Sequence, residues 1–176
     1  MPDTTPTLSV ANLVLRSKQQ EIDALRHLAH KAEWVDAIGQ LVQRLQRERG
    51  ASCIYLASQT QRFAEVRHQA VNEALLHEEK LRQVFSARMD PAQGTSAQTL
   101  SLMAWALLGL ESLPALRLQI DRQAMSALDA VAAYSHLIAG LVELVFHMAD
   151  TAGVPSVSRL LVALLHLVQA QEEAGQ

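Results

Sequence analysis

From Ile38 to Leu56 apolar residues return every three or four positions, and an arginine stands among them. Projected on a helix, Ile38, Leu41, Val42, Leu45, Arg49, Ser52, Cys53 and Leu56 share one face, while Arg44 and Arg47 fall on the other side. The pattern demands a helix with a buried stripe and aims Arg49 toward that stripe. A guanidinium keeps its proton, so a buried one needs an anion beside it. That anion is either a carboxylate of the protein or a ligand. Gly50, Ala51 and Ser52 leave room next to Arg49, which favours a ligand. Glu143, which interrupts the longest apolar run, is the carboxylate candidate.

The remaining chain repeats the helical period. Hydrophobic residues make up 49% of the 176 positions but aromatics only 4%, and Leu and Ala dominate. That favours helix over sheet, and no strand-type alternation or internal repeat is present. One helix is predicted from about Leu8 to His30 and a second from Trp34 to about Ser58. A third carries the stripe Phe63, Val66, Ala70, Ala74, His77, Leu81, Val84 and Phe85. Asp90-Pro91 and Gly94-Thr95-Ser96 mark the main loop, near 86–97. Beyond it Leu100 to Leu110 is nearly continuous apolar sequence, and Pro114 is expected to kink or break that helix. Ser126 is a plausible N-cap for a helix reaching about Ala149. Thr151-Ala152-Gly153-Val154-Pro155 reads as a stop before a last helix from Ser156, apolar nearly all round to Val168. Such a helix needs a cover, either a second copy in a homodimer or a further C-terminal segment. The expected fold is all-α: one domain, 1–176, forming an antiparallel up-and-down bundle of long helices.

Several function classes fall away. The formal charge of −3 gives no basic footprint for nucleic acid. Cys53 is the one cysteine, which rules out an internal disulfide. The polar start Met1-Pro2-Asp3-Thr4-Thr5-Pro6 is not a signal peptide, and Val131 to Met148 is broken by His136, Glu143 and His147. We therefore expect a cytoplasmic chain with no membrane span. A di-iron bundle needs paired Glu-x-x-His motifs, and only Glu65-Val66-Arg67-His68 has that spacing, on a face predicted to meet solvent. His27 and His30 lack further ligands. Asp129, His136, Glu143 and Asp150 recur every seventh residue, as the solvated edge of a helix does. Cys53 has no base near it in sequence, and no Gly-rich phosphate loop occurs. The expectation is a non-enzyme with no metal and no cofactor.

The segment Leu41-Val42-Gln43-Arg44-Leu45-Gln46-Arg47-Glu48-Arg49-Gly50-Ala51-Ser52, with Tyr55-Leu56-Ala57-Ser58 after it, resembles the core motif of the nitrate- and nitrite-sensing (NIT) domain. The ending Gln169-Ala170-Gln171-Glu172-Glu173-Ala174-Gly175-Gln176 is similar to nitrate-responsive transcription antiterminators of that family. The resemblance implies two packed helical bundles that sense nitrate or nitrite through arginines at a helix interface. It also implies an output domain that binds RNA once ligand frees it. By the same resemblance, this chain spans the first bundle and the start of the segment after it, without the output domain.

The leading expectation is thus a small-oxyanion sensory module. Its anion-binding candidates are Arg49 from the Glu-Arg-Gly motif, the adjacent Arg47, and Arg159, placed in the first turn of the last helix. The alternative is a ligand-free interaction or dimerisation module in which Arg49 forms an internal salt bridge, with Glu143 as the partner.

Overall fold

A computed structural model describes residues 9–87 and 97–150, apart from the side chains at 27, 149 and 150. The described residues form four helices and no strand: α1 (Val10–Ser58), α2 (Ala64–Ser86), α3 (Ala97–Asp121) and α4 (Ala127–Asp150), with a single 3-10 turn at Gln61–Phe63. The chain runs up α1, down α2, up α3 and down α4. The end of α1 meets the end of α3, since the Tyr55 hydroxyl reaches the Asp121 carbonyl at 3.5 Å. Backbones pack closely between α1 and α2, α1 and α4, and α3 and α4. This is the all-α, up-and-down bundle that the periodicity implies.

The two helices expected on either side of residues 31–33 are one. Lys31-Ala32-Glu33 contains no proline or glycine, so α1 passes through for 49 residues. Its second half supplies the core: Trp34, Val35, Ala37, Ile38, Leu41, Val42, Leu45, Tyr55 and Leu56 are buried. Its first half is exposed, with Val10, Leu13, Val14, Leu15 and Leu25 facing outward. Trp34 meets Phe85 edge-on at 5.9 Å, which joins α1 to the end of α2.

Pro114 does not end its helix. Turns of α3 continue on both sides of it, through the buried Leu110, Leu113 and Ile120, and Pro114 itself is exposed. Burial of this apolar stripe outweighs the local loss of one backbone hydrogen bond. In α2, Ala70, Ala74, Leu81 and Phe85 are buried as expected, but Val66 is exposed and Arg67 takes the inward position. Arg67 lies inward because it finds a carboxylate, Asp121, and a backbone carbonyl, that of Arg117, across the bundle. Ser126 caps α4, its Oγ accepting from the Asp129 amide at 3.1 Å, as predicted.

α3 and α4 are each long and apolar enough to cross a bilayer, despite His136, Glu143 and His147 in the latter. In the bundle each gives a stripe to the shared core, Met103 to Ile120 on α3 and Ala130 to Met148 on α4. Gly109 faces Leu137 where they meet: a Cβ there would lie 2.6 Å from Leu137 Cδ1, the movable tip of that side chain. Residues 88–96 of the predicted main loop, the stop at 151–155, the last helix and Arg159 lie outside the described residues.

α3 closes with Gln123 in the left-handed region (φ 50°), its amide donating to Ile120 and the Ala124 amide to Gln119. This is a Schellman ending built without glycine. Gln123→Gly should raise stability by about 0.5–1 kcal/mol, the left-handed penalty less the extra chain entropy of glycine, as read from the urea midpoint.

Candidate functional site

Three charged residues, Glu48, Glu78 and Arg117, occupy stripe positions where leucines would be expected, and Arg67 takes a fourth nearer the start of α2. On α3 the buried series is Met103, Ala106, Leu110, Leu113, Arg117 and Ile120. On α2 it is Arg67, Ala70, Ala74, Glu78, Leu81 and Phe85. On α1 Glu48 follows Leu45 and precedes Ser52. The up-and-down topology brings these charges to one level of the bundle. Arg117 Nε donates to Glu48 Oε1 at 2.7 Å and Nη2 to Glu48 Oε2 at 2.8 Å, a bidentate pair. The same Nη2 donates to Glu78 Oε1 at 2.6 Å. From α4, the Tyr134 hydroxyl donates to Glu48 Oε1 at 2.6 Å. Four helices thus meet on one guanidinium and one carboxylate.

The centre is dry. Glu48 and Tyr134 are fully buried, Glu78 is 2% exposed and Arg117 7%. Burial works against the Arg117 charge, but the hydrogen bonds and fields of Glu48 and Glu78 overcome it and push its pKa up. Burial, reinforced by the neighbouring Glu48 charge, also pushes the Tyr134 phenol up. Both residues therefore keep their protons. A second arginine braces the same end: Arg67 Nη1 pairs with Asp121 Oδ1, and Nη2 donates to the Arg117 carbonyl at 3.1 Å. The Arg67 guanidinium lies 5.6 Å from the Tyr55 ring centroid, a cation–π distance.

The arginines named from sequence take different places. Arg49 sits on the flank of the stripe, partly buried, and the neighbouring Glu48 takes the central position. Residues 48 and 49 straddle the line through Leu45 and Ser52, and the bundle turns the acid inward to face Arg117. Arg49 Nη1 donates to Ser135 Oγ on α4 at 2.7 Å. Arg47 is exposed on the α2 side, where it and Arg44 both donate to Glu73 Oε2, at 2.9 and 2.8 Å. Arg49 of the Glu-Arg-Gly motif and the adjacent Arg47 are therefore not brought together.

Glu143, the carboxylate considered for Arg49, is exposed. With Trp105, Gly109, His136 and Gly140 it lines an open groove of about 510 Å³ between α3 and α4. A buried ion pair does exist, but between Arg117 and the acids Glu48 and Glu78. Glu65, His68, Asp129 and His136 are exposed, as their spacing implied, and no cluster able to hold a metal occurs among the described residues. His77 is partly buried in the stripe, and desolvation followed by the charge of Arg44 lowers its pKa.

Glu48, Glu78, Arg117 and Tyr134 were not singled out by the sequence reading. The signal available was the break in each stripe: an ion at a spacing that every neighbour reserves for an apolar residue.

A family model described as nitrate and nitrite sensing matches residues 40–176. The chain is similar to the nitrate regulatory protein of Klebsiella oxytoca, 32% identical over 178 residues, a match covering 100% of the chain and 43% of that relative. The solved structure of the NasR transcription antiterminator matches with a TM-score of 0.74 at 25% identity, over 88% of this chain and 41% of that one. The chain spans less than half the length of either protein.

Two outcomes are expected of the buried centre. Arg117→Met strands two buried carboxylates and should lower stability by about 3–5 kcal/mol in urea unfolding. The second concerns pH. The Tyr134 proton is held above the ordinary phenol value of 10.0, so its contribution is complete below that pH and is lost as pH rises through the raised folded value. Tyr134→Phe should start less stable, yet lose stability less steeply above pH 10.0 in stepped alkaline unfolding.

Proposed function

The chain belongs to the nitrate- and nitrite-sensing family, and from that premise we propose that it is an anion-responsive module binding nitrate or nitrite at Arg49. The observation that carries the reading is the family match itself, which includes the arginine-bearing turns of α1 and all of α2 to α4. Arg49 suits the task by position. It lies at the border of α1 and α4, partly buried, with a neutral hydroxyl as one partner. A planar guanidinium matches a planar oxyanion, and each charge-assisted bond is worth about 1.5–3 kcal/mol. Binding at a helix border shifts the packing equilibrium by its differential affinity for the two arrangements.

Arg47 and Arg159 remain secondary candidates. Arg47 is directed to Glu73 on the far flank of α1, so its participation requires a different side-chain placement. We further propose a cytoplasmic, non-enzymatic protein whose regulatory output resides in sequence that the longer relatives have and this chain does not span. RNA binding, if the output is an antiterminator's, belongs to that part.

One observation favours a second reading, that of an interaction module. The first half of α1 presents Val10, Leu13, Val14, Leu15 and Leu25 to solvent around much of its circumference, apolar surface suited to a second copy or a further segment of a longer protein.

The test is thermal unfolding in sodium nitrate, sodium nitrite and sodium chloride at matched ionic strength. The sensor reading expects a higher unfolding temperature in nitrate or nitrite than in chloride, because a ligand of the native state must stabilise it. Arg49→Ala should erase that difference. Equal temperatures in all three salts would oppose the sensor reading and leave the interaction module.

A further inference from the structure

Two consecutive residues of α1 meet two consecutive residues of α4. Glu48 accepts from Tyr134 at 2.6 Å in the buried centre, and Arg49 donates to Ser135 at 2.7 Å on the flank. Successive helix positions differ by about 100° in direction and about 1.5 Å in height. One register of α1 against α4 satisfies both rungs, and a slip of either helix by one residue breaks both. The inner rung is the stiffer. Its residues are fully buried, and the Glu48 carboxylate is already fixed by the two-pronged Arg117 contact. The outer rung joins a long side chain that reaches toward the surface to a small hydroxyl.

Resting on the assignment of anion binding to Arg49, we propose that Tyr134 and Glu48 are positioning residues for the anion site: their buried hydrogen bond sets the α1–α4 register that holds Arg49 opposite Ser135. Neither touches the anion. Tyr134 is the informative member, because removing its hydroxyl deletes the inner rung and leaves the Arg117 pair with both acids intact.

The readout is the nitrate increment, defined as the rise in unfolding temperature of one variant between sodium chloride and sodium nitrate at matched ionic strength, followed over nitrate concentration. A purely structural role lowers stability in both salts and leaves the half-saturating nitrate concentration unchanged. A positioning role weakens apparent nitrate affinity by about tenfold in Tyr134→Phe, the equivalent of one charge-assisted hydrogen bond. Phe85→Leu, destabilised at the Trp34 end of the bundle, should keep the wild-type value. Should Tyr134→Phe not fold, the double variant Glu48→Gln/Tyr134→Phe removes the rung without stranding a buried charge, since Glu78 still faces Arg117. Wild-type affinity in the Tyr134 variant, or an equal loss in Phe85→Leu, overturns the positioning role. Absence of any increment in the wild-type chain overturns the sensor reading, and the positioning role with it.

Discussion

Everything in this bundle is arranged around a guanidinium that cannot be left alone. Arg117 enters the core from α3 with its charge intact, and a charge taken out of water must be met by opposite charge and by hydrogen bonds. Glu48 and Glu78 answer it from α1 and α2, and Tyr134 completes Glu48 from α4. An apolar core accepts many nearly equal packings, whereas this one accepts the rotation and height at which four polar groups coincide. α2 and α3 are also tied by such side chains, Arg117 to Glu78 and Arg67 to Asp121. The polar contact fixes the relative placement of Glu48, Glu78, Arg117 and Tyr134, while the bundle's stability comes largely from the leucine and isoleucine stripes around it.

This architecture explains how a small surface-proximal event could reach several helices. Arg49 is one residue from Glu48, and Ser135 one residue from Tyr134. Rotation of α1 that alters the outer rung must also move the inner carboxylate, and with it the Arg117 side chain between α2 and α3. The chain offers a short physical route from the anion site proposed at the α1–α4 border to the opposite side of the bundle. Packed cores and bidentate ion pairs favour discrete arrangements over gradual deformation, which suits a switch.

The fold class was legible because helical periodicity, sparse glycine and proline, and a Leu- and Ala-rich composition all agree. Segment joints were less so. Residues 31–33 looked like a boundary because the apolar period lapses there, yet a lapse of burial is not a lapse of helix. Pro114 was expected to kink or break its helix because its local penalty is large, but the helix continues through it and the stripe on either side is anchored by Leu110, Leu113 and Ile120. The site was half legible. The Glu-Arg-Gly motif was found, but periodicity aimed Arg49 inward, and of the two adjacent ions it is Glu48 that lies in the core. That decision belongs to Arg117, 69 residues away, and no single-helix projection contains it.

The length of α1 carries a mechanical consequence. Its second half is clamped among three other helices, and its first half extends from Trp34 back to Val10 without interruption. A continuous helix transmits tilt along its axis. By the helical rise, a tilt of about 5° at the clamp displaces the Val10 end by about 3 Å. The exposed half of α1 is therefore a pointer, whose tip reports in magnified form any reorientation of the turns that carry Glu48 and Arg49.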